Sequence, residues 1–171
     1  MGMVIHRIIS IPYDSGNLNQ IPCHLLNQTL QFLSMKYKTT NPEKTKSIAK
    51  KIAKGFKNKG GVIFLKGGLG AGKTTFVQGF AKELGIKEKI ISPTFVLIRQ
   101  HVFNTDRLLF HIDLYRLSQN SSKKEIGIDE MIQNKNIVLI EWPEKVVDLP
   151  KPDLIIEFTI DSPNTRIIHV I

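Results

Sequence analysis

Cysteine and long apolar runs are almost absent from the sequence, and each absence excludes a class of protein. The single cysteine, Cys23, cannot form a disulfide within the chain, which suits a reducing cytoplasm. No run approaches the roughly 18 apolar residues that are needed to cross a bilayer. His6, Asp14 and Asn17 interrupt the first apolar stretches, so the core of a secretory signal is missing. We therefore expect a cytoplasmic protein with no membrane partner.

Arginine is scarce as well, and the few arginines do not cluster in the sequence. There are five of them: Arg7, Arg99, Arg107, Arg116 and Arg166. Small-molecule and nucleotide kinases usually carry several arginines in a lid that clamps two phosphorylated substrates. The five histidines are scattered and lack the spacing of metal ligands. These absences weigh against a kinase and against a metal site built on histidines.

Lysine, by contrast, gives the chain a strongly basic balance. The 24 Lys and Arg residues against 15 Asp and Glu leave a net charge of +9. Such a balance favours polyanionic partners, which include nucleotides, tRNA and acidic proteins. The alternative is a solvated lysine-rich surface without a partner, and composition alone leaves both open. The length of 171 residues fits one domain with a proper hydrophobic core.

Strand and helix patterns alternate regularly from residue 35 onwards. We predict strands at residues 35–39, 62–66, 94–103, 107–113, 137–141, 153–160 and 166–171. We predict helices at residues 42–56, 73–84 and 122–133. The alternation indicates an α/β fold, with antiparallel additions towards the C-terminus. Residues 1–34 are polar and weakly periodic, so we interpret them as an appendage to a domain at residues 35–171.

The first predicted helix has two contrasting sets of side chains. It follows an N-cap at Asn41 and a first-turn proline at Pro42. Its apolar stripe consists of Ile48, Ala49, Ile52, Ala53 and Phe56. We predict that the opposite face carries Lys46, Lys50, Lys54 and Lys57. This face is a candidate for contact with tRNA or an acidic partner, and a solvated surface is the alternative.

A glycine-rich loop at residues 67–74 fits the phosphate-binding pattern G-x-x-x-x-G-K-[ST] at every defined position. Glycines allow successive backbone N–H groups to converge on phosphate oxygens. We expect Lys73 to reach the β- and γ-phosphates, Thr74 to offer its hydroxyl to magnesium, and Thr75 to lie near the α-phosphate. The predicted nucleotide contacts are Gly68, Leu69, Gly70, Ala71, Gly72, Lys73, Thr74 and Thr75. A buried strand before the loop and a helix after it supply the context that the pattern requires.

Phosphoryl transfer also needs acids at strand ends to position magnesium. Glu141 follows the apolar run at residues 137–140, as in a Walker B strand with Glu in place of Asp, and Asp113 follows residues 108–112. Both are predicted magnesium ligands and catalytic residues, unless they are solvated loop carboxylates. Trp142 is either a nucleotide or partner contact or a core aromatic. Arg116 either stabilises transition-state charge or forms a structural ion pair.

The nucleotide is partly specified by a missing guanine-binding loop. A GTPase carries the string Asn-Lys-x-Asp, and the nearest match here, at residues 134–137, has Ile137 at the last position. The sequence therefore favours ATP as the nucleotide.

Several short strings together resemble one family. The loop through Phe76 is followed by Ser-Pro-Thr-Phe at residues 92–95, His-Ile-Asp-Leu-Tyr-Arg-Leu at residues 111–117, Gly-Ile-Asp-Glu at residues 127–130 and Ile-Glu-Trp-Pro at residues 140–143. This order and spacing resemble the TsaE (YjeE) ATPases of bacterial tRNA threonylcarbamoyladenosine biosynthesis. The resemblance covers about residue 35 to the C-terminus.

The resemblance implies a P-loop NTPase three-layer fold with a mixed, mainly parallel central sheet. It implies a cytoplasmic, magnesium-dependent ATPase that supports TsaB and TsaD in forming threonylcarbamoyladenosine at position 37 of tRNA. Lys73, Thr94, Asp113 and Glu141 then act as catalytic residues, with Thr94 and Asp113 near the γ-phosphate and Trp142 beside Glu141. The sequence departs from the family at Gly68, where an Asp is usual.

Two other uses of the same loop remain open. One is a small-molecule or nucleotide kinase. The other is a nucleotide-dependent assembly module in which binding matters more than hydrolysis.

Overall fold

Seven strands in one mixed sheet organise residues 34–171, the part of the chain that the computed structural model describes. The strands are β1 Met35–Thr39, β2 Gly61–Lys66, β3 Ile98–Phe103, β4 Arg107–Asp113, β5 Ile137–Glu141, β6 Leu154–Ser162 and β7 Thr165–Val170. The helices are α1 Pro42–Phe56, α2 Lys73–Leu84 and the short α3 Ile128–Met131, with 3-10 turns at Lys123–Glu125 and Pro143–Lys145. The appendage that we interpret at residues 1–34 lies, apart from Ser34, outside the described residues.

The strand order of the sheet is β1-β7-β6-β2-β5-β4-β3. The four central strands β6, β2, β5 and β4 are parallel, whereas β3 on one edge and β7 and β1 on the other are antiparallel to their neighbours. The predicted α/β fold, with a mainly parallel centre and antiparallel C-terminal strands, is confirmed. Because parallel strands all end at one edge, the loops after β2, β4 and β5 meet there.

Both faces of the sheet are covered, which gives three layers. On one face α1 and α2 pack over Ile63, Leu65 and Leu139 in a core that includes the fully buried Phe76 and Phe80. The other face packs Phe110, Ile112, Val138 and Ile140 against Ile126 and Ile128. Strands that are buried on both faces are continuous apolar runs. This explains why β2 and β5 are easily recognised in the sequence.

α1 and α2 approach each other closely at one glycine. A Cβ atom built on Gly79 would lie 2.5 Å from both the Cα and the carbonyl oxygen of Lys46. No larger residue fits there unless the two helices separate.

The prediction for the lysines of α1 is wrong in its geometry. Ala49, Ala53 and Phe56 are buried as expected, but three of the four lysines placed opposite them are only half-buried, namely Lys46, Lys50 and Lys57. At about 100° per residue these positions flank the buried stripe rather than oppose it. The exposed lysines of the helix are Lys44, Lys51 and Lys54.

Two predicted elements differ from the structure. The strand predicted at residues 94–103 begins at Ile98, because residues 93–97 form a turn in which Leu97 N–H donates to Pro93 O at 2.7 Å. The helix predicted at residues 122–133 is broken at Gly127, whose φ of 74° is left-handed. Within residues 34–171, no helix is both long and apolar enough to span a bilayer.

Candidate functional site

The glycine-rich loop joins the end of β2 to the start of α2. Gly70 and Gly72 have φ values of 70° and 102°, which side chains other than glycine rarely adopt. Gly67 has a φ of 142° and lies against β6, since a Cβ atom there would come within 2.5 Å of Phe158 O. Gly68 is different: a Cβ atom would meet nothing within 4 Å, so the loop has room for the Asp that the family usually carries.

Lys73 begins α2 at the end of the loop and is 5% exposed. Its Nζ donates to Gly67 O at 2.6 Å and to Gly68 O at 3.0 Å, and it lies 4.1 Å from the centroid of the Trp142 ring. Burial lowers the pKa of Lys73, while the carboxylates of Glu141, Asp113 and Glu144 oppose that shift. Because the Lys73 ammonium is partly desolvated, its electrostatic attraction for a bound anion is stronger than it would be in water.

Glu141 ends β5 and is contacted by two other polar side chains. Its Oε1 accepts from the hydroxyl of Thr74 at 3.0 Å and from Nε2 of His111 at 2.9 Å. An ionised carboxylate only accepts, so Nε2 of His111 is the donor. His111 is fully buried, and its Nδ1 has no hydrogen-bond partner among the described residues. Two donors on one oxygen therefore fix the orientation of the Glu141 carboxylate.

Asp113 ends β4 and is held by hydroxyls from the loop before β3. Its Oδ2 accepts from Ser92 Oγ at 3.1 Å and from Thr94 Oγ1, and its Oδ1 accepts from Tyr115 N–H at 3.0 Å. The same loop exposes Phe95, which is 85% accessible, and Val96. Asp113 N–H donates to Leu97 O at 3.0 Å, so the backbone of this loop is also tied to β4.

The two acids are brought together by the register of the sheet. In the parallel pair of β4 and β5, Asp113 lies directly opposite Glu141. Both are buried, and both face a cavity of about 210 Å³ at the end of the sheet. The cavity is lined by Leu69, Gly70, Ala71, Gly72, Lys73, Thr74, Thr75, Ser92, Thr94, Asp113, Glu141 and Trp142. Of the predicted site residues, only Gly68 is not in this lining, although its carbonyl accepts from Lys73.

A second cavity of about 320 Å³ adjoins the first. The two share Gly70, Gly72 and Thr75 in their linings. The rest of the second lining comes from residues 39–42, Thr45, Pro163, Asn164 and Arg166. The guanidinium of Arg166 also donates to Gly70 O at 3.1 and 3.3 Å, which attaches β7 to the glycine-rich loop.

Trp142 stands beside Glu141 in a left-handed conformation with a φ of 59°. Its N–H donates to Leu65 O at 3.3 Å, and its ring lies 5.1 Å from that of Tyr115, centroid to centroid. Arg116 lies outside the linings of both cavities, with its guanidinium 4.3 Å from the centroid of the exposed Phe95 ring. Neither of the roles weighed for Arg116 is supported by this contact.

The cavity chemistry fits magnesium with a bound nucleotide. Thr74, Asp113 and Glu141 offer hydroxyl and carboxylate oxygens, the ligands that Mg²⁺ prefers. Among residues 34–171, no group of three or more His, Cys, Asp or Glu side chains could hold a metal by itself. A magnesium ion at this place would thus draw on phosphate oxygens and water as well as on the chain.

Sequence reasoning missed three residues of this region. His111 could have been found, because it lies two residues before Asp113 and so on the same face of β4. Ser92 could also have been found, because it lies two residues before the predicted site residue Thr94 in the Ser-Pro-Thr-Phe string. Arg166 had no signal, since nothing in the sequence shows that β6 pairs with β2 and so brings β7 next to the glycine-rich loop.

Comparisons with known proteins agree on one family. The family model described as "Threonylcarbamoyl adenosine biosynthesis protein TsaE" matches residues 39–168. The chain is 43% identical over 122 residues to the tRNA threonylcarbamoyladenosine biosynthesis protein TsaE of Bacillus subtilis, covering 70% of this chain and 74% of that protein. It is 39% identical over 112 residues to the protein of the same name in Treponema pallidum, covering 65% of this chain and 82% of that one.

A solved structure shows the same likeness in three dimensions. The crystal structure of Bacillus subtilis YdiB superimposes with a TM-score of 0.62 at 33% sequence identity, covering 81% of this chain and 84% of that one. With the family model spanning most of the described residues, the chain belongs to the TsaE family of threonylcarbamoyladenosine biosynthesis proteins.

Proposed function

We propose that this protein is a cytoplasmic, magnesium-dependent ATPase. It supports TsaB and TsaD, the partners that the family resemblance implies, in forming threonylcarbamoyladenosine at position 37 of tRNA. The observation that carries the proposal is the convergence of Lys73, Thr74, Asp113 and Glu141 on one cavity next to a glycine-rich loop. Membership of the TsaE family supports the pathway.

The phosphate chain of ATP is bound by the loop and by Lys73. Backbone N–H groups of residues 68–74 and the positive end of the α2 dipole attract the phosphates. Lys73 exchanges its contacts with Gly67 O and Gly68 O for phosphate oxygens. That exchange replaces two neutral carbonyl acceptors by charged ones, which makes the hydrogen bonds stronger.

The Thr74 hydroxyl and the carboxylates of Glu141 and Asp113 would hold magnesium, which would supply positive charge next to the phosphate oxygens for phosphoryl transfer. His111 keeps Glu141 aligned, and Ser92 and Thr94 keep Asp113 aligned. With Thr94 and Asp113 next to the γ-phosphate, the attacking water is oriented by a hydroxyl and a carboxylate that are already hydrogen-bonded.

The nucleoside occupies the second cavity. This placement is supported by Thr75, which lines both cavities and which we expect to lie near the α-phosphate. The cavity is large enough to hold part of a small ligand.

An assembly module is the second candidate, and the exposed rim of the cavity favours it. Leu69 is 63% exposed, Phe95 85% and Val96 55%, and all three belong to loops that line the cavity. Exposed apolar side chains around a site mark a surface that a partner covers. A kinase is not favoured, because Arg166 is the only arginine among residues 34–171 that lines either cavity.

The deciding experiment measures ATP turnover with and without TsaB, TsaD and tRNA, in the wild type and in Glu141→Ala. We expect the partners to stimulate turnover, and we expect Glu141→Ala to bind nucleotide but to hydrolyse ATP at least 100-fold more slowly, because the magnesium ligand is lost. Lys73→Ala is the control that loses binding as well. If Glu141→Ala still supports tRNA modification, the assembly module is correct. If an acceptor metabolite stimulates phosphate release instead, the protein is a kinase.

A further inference from the structure

The positive charge of the chain is concentrated in one segment. Residues 35–60 contain nine of the 24 basic residues and only one of the 15 acidic residues, so this segment carries +8 of the net charge of +9. A general bias towards lysine would spread the charge over the chain. It would also leave the remaining residues basic, whereas they are almost balanced.

α1 displays most of this charge on its outer side. Lys44, Lys51 and Lys54 are exposed and form no ion pair within residues 34–171. The one acid of the segment, Glu43, is already engaged by Lys46 at 2.7 Å. That contact, with Lys82 and Lys50 nearby, lowers the pKa of Glu43. The outer side of α1 therefore has unneutralised positive charge and no carboxylate free to offset it.

The same surface lacks the apolar anchors of a protein-binding site. Ten large hydrophobic side chains of the described residues are exposed, and every one lies outside residues 35–60. Protein interfaces depend on buried aromatic or aliphatic anchors. Nucleic-acid backbones, in contrast, are bound largely by lysine and arginine contacts to phosphates, without an apolar centre.

The length of α1 suits a phosphate backbone. Lys44 and Lys54 are about 15 Å apart along the helix axis, and the phosphates of one duplex strand are spaced about 3.4 Å apart along the axis of the duplex. Lysines at residues 44, 51 and 54 thus reach phosphates that are several nucleotides apart.

We propose that the outer side of α1 binds the phosphate backbone of tRNA through Lys44, Lys51 and Lys54. The choice of tRNA as the polyanion rests on the proposed function. The positive charge of the surface does not depend on that function. Because lysine to phosphate contacts carry no sequence information, the surface positions tRNA without reading its bases.

The test titrates fluorescently labelled tRNA with the full chain at salt concentrations from about 50 to about 200 mM. The variant Lys44→Gln/Lys51→Gln/Lys54→Gln is compared with Lys87→Gln/Lys124→Gln/Lys151→Gln, which removes three exposed lysines elsewhere and changes the net charge equally. We expect the α1 variant to bind tRNA at least tenfold more weakly and its slope of log K against log salt to fall by about three. The matched variant should behave like the wild type.

Equal losses in both variants, or no loss in either, would overturn the proposal. So would a polyglutamate peptide that binds the wild type as tightly as tRNA, because the surface would then suit an acidic protein. The variant Lys44→Arg/Lys51→Arg/Lys54→Arg must keep its tRNA affinity, and a melting temperature for each variant separates lost charge from lost fold.

Binding of a fluorescent ADP analogue with magnesium is measured on the same samples. If the wild type binds tRNA through α1 but does not bind the analogue, the proposed ATPase function is wrong and the tRNA-binding surface on α1 is still supported. A wild type that binds the analogue while the α1 variant keeps full tRNA affinity contradicts only the surface.

Discussion

At the scale of single residues, the site depends on side chains that orient other side chains. Within residues 34–171, His111 forms no hydrogen bond with the glycine-rich loop, yet it donates to the same oxygen of Glu141 that accepts from Thr74. Residues that orient a metal ligand usually contribute 10–100-fold to metal affinity. The sequence patterns predict the magnesium ligands Asp113 and Glu141. They do not predict His111, because a buried histidine that orients a carboxylate has no motif of its own.

For His111→Ala we expect magnesium-dependent affinity for ADP to fall at least tenfold, because Glu141 loses one of its two hydrogen bonds. Affinity measured in EDTA should not change. Leu109→Ala is the matched control: it also empties a buried position of β4, but Leu109 makes no hydrogen bond to Glu141. The orienting role is wrong if both variants lose magnesium dependence equally, or if His111→Gln, which still carries an N–H donor, recovers nothing.

Lys73 gives a prediction about pH and stability. Its pKa is lowered in the folded protein by burial, so between that lowered value and 10.5 the unfolded chain binds the proton more tightly. The free energy of unfolding therefore rises with pH across this window, and at neutral pH the buried charge costs stability. For Lys73→Met we expect a higher melting temperature of the ligand-free protein at pH 7, with the gap from the wild type closing towards pH 10.5. A lower melting temperature at pH 7 would show that the carboxylates around Lys73 outweigh its burial.

At the scale of elements, some helix and strand boundaries could be predicted from the sequence and others could not. Gly85 ends α2 where the pattern places it, and both β2 and β5 are confirmed, because buried parallel strands are short apolar runs. The helix predicted at residues 122–133 is wrong at Gly127, because the left-handed conformation of this glycine divides the segment. The turn before β3 was also missed, since β-branched and aromatic side chains at residues 94–98 imitate a strand.

At the scale of elements, we predict that a side chain at position 79 destabilises the fold, because Gly79 sets the distance between α1 and α2. Gly79→Ala should raise helix propensity yet lower the free energy of unfolding by about 1–3 kcal/mol, since the methyl group meets the backbone of Lys46. Gly55→Ala in α1 is the control, because a Cβ atom there meets nothing within 4 Å. Urea denaturation of both variants measures the difference. Equal stabilisation by the two substitutions would show that the helices separate at little cost.

At the scale of the whole molecule, Ser34–Ile171 form one compact unit, in which Met35 and Tyr37 of β1 pack against the buried core. We propose on this basis that residues 35–171 form a domain that folds without the appendage. A chain lacking residues 1–33 should therefore unfold in one cooperative step and bind ADP with magnesium within about threefold of the full chain. Calorimetric melting and fluorescence titration check this. A truncated chain without a cooperative transition would place part of the fold in the segment that was removed.

The distribution of functional features over the molecule was only partly predictable. The glycine-rich loop and both acids were found from the sequence because each lies at the end of an apolar strand. The second cavity was not, since its lining comes from opposite ends of the domain, which meet because β1 pairs with β7: residues 39–42 at one end, and Pro163, Asn164 and Arg166 at the other. Long-range pairing of this kind leaves no local pattern in the sequence.

The loop at residues 92–97 has a consequence for how the nucleotide site communicates. Its hydroxyls and one backbone carbonyl hold Asp113 on the inside, while Phe95 and Val96 project outwards. A protein that bound to those two side chains would act on the same loop that positions the carboxylate of Asp113. Under the proposed function, a partner bound to Phe95 and Val96 and a nucleotide bound next to Asp113 would change each other's affinity by the same factor.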